Sequence, residues 1–392
     1  MGGKAALLVV FGLTFLFSSY QLKTGSVSTR AADNLFGYYS KKIAHQTSVS
    51  GLNIAAAKLY EDPTWRGPMD HVVFKSGEFN ISFASMGDTL MVASEGLHDS
   101  VRDTVMAFFS LDNPYTKYTF FTFQENGVSW APGDSVWGPI HTNSTLNHQN
   151  DASIVFFGKV TAGKGISAPP KNAKTQFLGG YEVGVYVPQV TNMTDLVNAA
   201  TASGFLSANP LDTLKIELNN DGTLDVYLNS VKVHDDITFP ALAPNGAIYA
   251  AGPLKVFGPG PVNTQTGGVS IGSGNKIFLE NPFVYADDPL SNPSSDDLLA
   301  LIAWDDIVFN NQIVADWEMQ CVLMSINGSM TATNMNKNGD FNYLGSVYQN
   351  VRGNAKMFQS FEKNYYHDIR LNNMTPPFYP GANDLHLIAW WE

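Results

Sequence analysis

Ala5-Ala-Leu-Leu-Val-Val-Phe-Gly-Leu-Thr-Phe-Leu-Phe-Ser-Ser19 contains no charged residue and follows directly on Lys4. With Tyr20-Gln21-Leu22 it reaches the ~20 apolar residues that cross a bilayer, which predicts one membrane span. A secretory signal would need a small-residue cleavage site straight after the apolar run. Tyr20, Gln21, Leu22 and Lys23 stand there instead. Beyond the span the text stays helix-like through Ala31, Ala32, Leu35, Tyr38 and Tyr39 to Ile54-Ala-Ala-Ala-Lys-Leu-Tyr60, with no proline between residues 4 and 62. The expectation is a three-residue leader, 1–3, and one helix over 4–62, about 57 residues and roughly 85 Å long at ~1.5 Å per residue. Pro63 ends it, and Gly12, Gly25, Gly37 and Gly51 weaken it locally, chiefly near Gly25.

Composition narrows the classes. The chain has 392 residues and a net charge of -12, from 23 Lys and Arg against 35 Asp and Glu. A chain without a basic field does not hold a phosphate backbone, so nucleic acid is excluded as a partner. With 34 Gly, 16 Tyr and 25 Phe but only 15% charged residues, the balance fits turn-rich β-structure outside the cytoplasm. The single cysteine, Cys321, excludes an internal disulfide, a Cys-built zinc site and an Fe–S cluster.

Residues 63–117 read as a β-sheet laid on the helix. Strands are expected over His71–Phe74, Glu78–Phe83, Thr89–Ala93 and Asp103–Phe109, divided by turns at Lys75-Ser-Gly77 and Met86-Gly-Asp88. From about 118 the chain becomes a succession of short apolar strands punctuated by Gly or Asn. Examples are Gly138–Asn143, Ser153–Val160, Ala247–Gly258, Gly268–Gly272, Lys276–Leu279, Leu298–Ala303, Asp306–Phe309 and Tyr343–Tyr348. Such recurrence predicts a right-handed β-helix-like head over 118–392, interrupted by an insertion over 170–243. Within the insertion, Thr194–Phe205 reads as a short helix, and Thr213–Leu218 and Thr223–Leu228 flank the hairpin turn Asn220-Asp-Gly222. The fold class is therefore mainly β with one long N-terminal α-helix, an α+β N-terminal domain followed by the head.

Several phrases carry a family resemblance: Met1-Gly2-Gly3 before the apolar helix, Ser50-Gly-Leu-Asn-Ile and Asp62-Pro-Thr-Trp65 at its end, and Thr89-Leu-Met-Val-Ala-Ser-Glu-Gly96 in the sheet. Further along stand Gly138-Pro-Ile-His-Thr-Asn143, Tyr285-Ala-Asp-Asp-Pro289, Tyr343-Leu-Gly-Ser-Val347, Val351-Arg-Gly353, Tyr365–Leu371 and Pro376-Pro-Phe-Tyr-Pro380. Together they resemble type IV minor pilins of the PilX kind. The resemblance implies cleavage by a prepilin peptidase around Gly2, Gly3 and Lys4. It also implies an assembly helix presenting Leu7, Leu8, Val9, Val10, Phe11, Leu13, Phe15, Leu16 and Phe17 to other pilin subunits and to the pilus assembly machinery. The implied location is single-pass in the inner membrane, then an extracellular filament at the cell surface, with a surface glycan or protein as the head's ligand. The family usually has Glu at mature position five; here that position is Leu7 or Leu8.

Three motifs invite an enzymatic reading. Gly158-Lys-Val-Thr-Ala-Gly-Lys-Gly165 fits G-x-x-x-x-G-K but ends in Gly where a Mg²⁺-binding hydroxyl belongs. Gly268-Val-Ser-Ile-Gly272 fits the G-x-S-x-G elbow, yet a β-like run follows rather than a helix. Asp287-Asp288, Asp296-Asp297 and Asp305-Asp306 recur evenly, as do acid clusters on adjacent coils of polysaccharide-cleaving β-helices, for acid–base work or Ca²⁺. Asp beside Pro or Ser is also ordinary turn chemistry, with Ser295 or Asp296 capping a helical turn at Leu298. The expectation is turn carboxylates, no cofactor, no resident metal and no catalysis; the rivals are a membrane-anchored carbohydrate-active enzyme or polysaccharide-binding protein using these pairs, and a plain surface binding module. Asn336–Asp340 resembles half a calcium loop and reads as a turn. His141 reads as a hydrogen-bonded coil residue, and His367 with Asp368 and Arg370 as a buried polar knot. Tyr365, Tyr366, Phe378, Tyr379, Trp390 and Trp391 crowd the C-terminus as core or contact aromatics.

Overall fold

A computed structural model describes residues 2–61, 65–67, 69–86, 89–110, 115–167, 174–265, 267–310, 316–333, 339–353, 361–381 and 386–391. Pro63, the Gly87-Asp88 turn and Asn336–Asn338 lie outside them. The chain divides into two units, residues 1–112 with 383–392, and residues 113–382.

In the first unit helix α1 runs unbroken over Gly2–Glu61. Gly12, Gly25 and Gly37 do not interrupt it, because the continuous ladder of i→i−4 bonds outweighs the ~1 kcal/mol that each glycine costs. Strands β1 (Met69–Phe74), β2 (Gly77–Met86), β3 (Thr89–His98) and β4 (Val101–Ser110) form an antiparallel meander. Strand β3 alternates half-buried and buried residues from Thr89 to Gly96, the signature of one face laid on a core. That core joins Leu52, Ala55 and Leu59 of α1 to Phe79, Leu90, Val92, Val105, Ala107 and Phe109, all essentially without solvent contact. Contact with the helix is close because of two glycines. A Cβ on Gly96 would stand 2.2 Å from the Ala44 carbonyl oxygen and 2.6 Å from the Ser48 nitrogen, and one on Gly51 would enter the Phe79 ring. Beyond the helix end, Trp65 meets Phe83 edge-on at 5.4 Å, with Lys58 over its ring at 5.5 Å.

The second unit opens with β5 (Phe120–Gln124), β6 (Ser135–Trp137), β7 (Ile140–Thr142), β8 (Thr145–Leu146), β9 (Val155–Phe156), β10 (Val160–Ala162), β11 (Gly165–Ile166), β12 (Gln176–Phe177) and β13 (Tyr181–Val183). All pair in parallel: β5 with β7, β7 with β10, β10 with β13, β6 with β9, β9 with β12, and β8 with β11. Glycines stack at the corner. A Cβ on Gly158 would stand 2.0 Å from the Gly138 carbonyl oxygen, and one on Gly179 2.2 Å from the Gly158 carbonyl carbon. Only glycine admits successive backbones this close.

Helix α2 (Thr194–Ser203) leads to β14 (Phe205–Ser207), β15 (Leu214–Leu218), β16 (Leu224–Leu228), β17 (Val231–Ile237) and the short α3 (Phe239–Leu242). The β15–β16 hairpin forms as read, Leu218 opposite Leu224, with Gly222 at φ +82° in its turn. Next come β18 (Ala247–Ala250), β19 (Leu254–Phe257), β20 (Val269–Ser273), β21 (Ile277–Leu279), β22 (Leu299–Ala303), β23 (Ile307–Asn310), β24 (Trp317–Ser325), β25 (Met330–Thr333), β26 (Gly339–Val351) and β27 (Phe361–His367). From β18 to β25 the chain alternates between two sheets. Even-numbered strands join a 14-stranded sheet and odd-numbered ones a 7-stranded sheet, each parallel within this run. The long β26 pairs along its first half with β27 and along its second with β5, so the C-terminal strands are joined to the first ones.

Two expectations need correction. Residues 174–183, read as part of an insertion, continue the ladders as β12 and β13. The last strand, β28 (His386–Trp391), does not belong with the head. It pairs antiparallel with β4 and completes the five-stranded sheet of the first unit, where Trp390 packs against the core.

Candidate functional site

Among the described residues, the largest run of exposed apolar side chains is the N-terminal part of α1. Leu7, Leu8, Val9, Val10, Phe11, Leu13, Phe15, Leu16 and Phe17 are exposed, as are Tyr20, Leu22, Leu35, Phe36, Tyr38 and Tyr39. This segment is long and apolar enough to cross a membrane, and none of its most apolar stretch is buried in the protein. Gly3 and Lys4 are exposed at its start. Burial begins only at Ala44 and continues through Thr47, Ser48, Leu52, Ala55 and Leu59. The helix is thus packed along its second part and bare along its first.

The aspartate pairs serve turns and loops. Asp297, buried, accepts from the Thr264 N–H at 2.7 Å, the Thr264 hydroxyl at 3.1 Å and the Asp287 N–H at 3.0 Å. The Asp287 carboxylate accepts from Asn292 at 2.7 Å. Asp288 accepts from the Leu290 N–H at 3.1 Å and from the Gln320 amide at 3.0 Å. Asp296 is exposed. No helical turn follows at Leu298; the Ser295 hydroxyl donates to the Asp287 carbonyl at 2.6 Å instead, and the chain enters β22. Asp306 sits apart with Lys276 at 2.7 Å and the Ser329 N–H at 3.0 Å. Burial pushes its carboxyl up, but Lys276 and Ser329 together hold it below the usual range. Among the described residues, Asp225, Asp235 and Asp236 are the carboxylates close enough to share an ion, and Lys232 already bridges Asp225 at 2.5 Å and Asp235 at 2.6 Å.

The other motifs resolve likewise. Gly158–Gly165 spans β10 and its flanking turns with no helix to receive phosphate. Ser270 lies inside β20 and is fully buried. His141 is buried between the Thr161 hydroxyl at 2.7 Å and the Asn143 amide oxygen at 2.8 Å, and burial holds its imidazole below the ordinary value. Arg370 grips Asp368 at 2.6 Å and donates to the Ser295 and Asp297 carbonyls at 2.8 and 2.9 Å. His367 lies beside this knot, with Nε2 3.3 Å from the Asn372 amide oxygen. Cys321 is buried, which pushes its thiol up and makes it unreactive.

Two arrangements were not legible beforehand. Inside the second unit Arg352 pairs with Glu125 at 3.0 Å and Lys363 with Asp134 at 2.8 Å, all four side chains nearly sealed from water, while the guanidinium lies 4.0 Å from the Trp130 ring centroid. On a neighbouring face Trp137 stacks between Tyr366 at 4.5 Å and Phe157 at 4.8 Å. The signal for that stack was a repeat, Val136-Trp-Gly138, Phe156-Phe-Gly158 and Phe177-Leu-Gly179. Of the other C-terminal aromatics, Tyr365 and Tyr379 are core, whereas Phe378 and Trp391 are exposed.

No family model and no curated protein matches the chain. Among solved structures, the competence-associated pilin ComZ from Thermus thermophilus is similar at 10% identity over 90% of this chain and 97% of that one, with a TM-score of 0.41. A likeness at that level carries no argument about function.

Proposed function

We propose that the chain is a structural subunit, minor or tip-located, of a type IV pilus-like surface filament. The observation that supports this reading is α1 itself, a 60-residue helix whose second part is covered by its own sheet and whose apolar first part is covered by none of the described residues. A single rod of that kind anchors a subunit in the inner membrane, and the same bare stripe buries itself among equivalent helices when the subunit leaves the lipid. Against return to water each leucine, valine or phenylalanine so covered is worth roughly 1.5–3 kcal/mol, which keeps the segment from Leu7 to Phe17 in apolar surroundings; relative to lipid the association energy comes from side-chain packing between helices. Processing by a prepilin peptidase after Gly2 or Gly3 would put Leu7 or Leu8 at mature position five. A subunit lacking a carboxylate there suits rare or terminal incorporation, because the neighbouring N-terminal amine stays unneutralised in apolar surroundings.

The second unit serves in this reading as a displayed head, a right-handed β-helix-like domain that supports adhesion or surface attachment through a glycan or protein ligand; parallel pairing of its short strands is what favours that reading. An enzymatic reading gains no support from the aspartate pairs, since the carboxylates of Asp287, Asp288, Asp297 and Asp306 are each engaged in hydrogen bonds or an ion pair that tie loops together. The test is to blot sheared surface filaments from cells carrying the wild type or Leu16→Arg, a change costing about 2.5–3.5 kcal/mol at mid-membrane. The wild type is expected in the sheared fraction and the variant not; a wild-type chain found only in the cell membrane after shearing would refute the assignment.

A further inference from the structure

The parallel ladders of the second unit end abruptly at residues 174–186. Among the described residues, strand β13 pairs only with β10 and β12 only with β9, so both stand as edges there. The bonds from the Val160 N–H to the Gly180 carbonyl at 3.0 Å and from the Gly184 N–H to the Ala162 carbonyl at 2.8 Å turn residues 180, 182 and 184 toward β10. By alternation, the N–H and C=O groups of Tyr181 and Val183 point outward. Their side chains cover Val160 and Ala162, themselves buried, yet are 48% and 52% exposed, and Leu178 and Tyr186 beside them are 61% and 65% exposed. The edge of the seven-stranded sheet is protected differently: its outer strand β17 belongs to an antiparallel ribbon and carries Lys232, Asp235 and Asp236, the charged type of edge that resists strand addition.

We propose that the β13 edge pairs with the β13 edge of a second copy, antiparallel, about a two-fold axis at Glu182. Such pairing sets Tyr181 opposite the other copy's Val183, each N–H meeting the other's C=O, and continues both apolar interiors across the axis. The patch is self-complementary, as an isologous contact requires. Charge fits as well. Glu182 points to the outer face, where its own Lys159 holds it at 2.6 Å, so the two carboxylates that meet at the axis arrive neutralised. The contact is made by the head alone and does not depend on the filament reading.

Glu182 opposite itself is a non-hydrogen-bonded pair, the cross-strand position with the closest Cβ atoms. The purified full chain in detergent, carrying Glu182→Cys, is therefore expected to form a disulfide-linked dimer under mild oxidation. Cys321 is buried and leaves one accessible thiol. Val231→Cys on the exposed β17 edge serves as the collision control and is expected to stay monomeric. Adding Val183→Lys to Glu182→Cys should cut the dimer more than about fivefold, since an inward-facing edge lysine blocks pairing. Light scattering gives a second reading, with a smaller mass for Val183→Lys than for the wild type at equal concentration. The proposal is overturned if Glu182→Cys cross-links no better than Val231→Cys, or if Val183→Lys leaves its yield unchanged.

Discussion

Replacing Gly96 by alanine tests how α1 is held. The added Cβ would stand 2.2 Å from the Ala44 carbonyl oxygen and 2.6 Å from the Ser48 nitrogen, both backbone atoms of the helix. Neither can rotate away, so relief requires α1 and β3 to separate by roughly 1 Å across the tightest part of their contact. Overpacking of this kind costs about 1–3 kcal/mol. For a unit of about 100 residues each kcal/mol lowers the melting temperature by about 4–8 °C, which puts the expected drop at roughly 4–24 °C. The matched control is Gly25→Ala, where nothing lies within 4 Å, and where the helix should gain up to about 1 kcal/mol in propensity. Hydrogen exchange on peptides from β3 and β4, followed against temperature in detergent, reads this unit separately from the other. If Gly96→Ala exchanges and melts with the wild type, the helix does not pack on the sheet as described.

Asp297→Ala should cost roughly 2–4 kcal/mol in chemical denaturation, because it strands the Thr264 and Asp287 donors in a buried loop, whereas exposed Asp296→Ala should stay within about 0.5 kcal/mol. A catalytic pair would instead show little change in stability for either. Arg352→Met should destabilise the second unit by about 3–5 kcal/mol, since it leaves Glu125 charged and sealed from water, and restoring neutrality with Glu125→Gln should recover part of the loss. Burial, against the pull of Arg352, raises the Glu125 carboxyl, while burial lowers the imidazoles of His141 and His367. A histidine with a depressed folded value contributes stability above its ordinary value near 6.5 and loses it as pH falls through the folded one. The urea midpoint of His141→Gln should therefore fall less between neutral and mildly acidic pH than that of the wild type; an identical slope would contradict the buried, neutral imidazole.

What the sequence disclosed was local. The helix was readable because an apolar run, an alanine-rich continuation and the lack of proline all act within a few turns. The meander was readable from alternation, and the β15–β16 hairpin from Asn220-Asp-Gly222. What stayed hidden depends on encounters between distant segments. Nothing in His386–Trp391 distinguishes a strand for β4 from one for the head, since Leu387, Ile388 and Trp390 would suit either. The same holds for β26, whose two halves hold β27 and β5. Charges within the second unit were missed because Glu125 and Arg352, or Asp134 and Lys363, look like surface residues until topology brings each pair together. Of the candidate site, the apolar run from Leu7 to Phe17 was legible as sequence, whereas the exposure of Leu35, Phe36, Tyr38 and Tyr39 and the stacking of Tyr366, Trp137 and Phe157 required the structure.

The most direct measurement of the central claim is the mass of the N-terminal peptide of this chain recovered from sheared surface filaments. The account predicts a chain that begins at Gly3 or Lys4 and keeps the whole apolar run from Ala5 to Leu22. A product that begins beyond Ser19 and is released freely into the medium would contradict it.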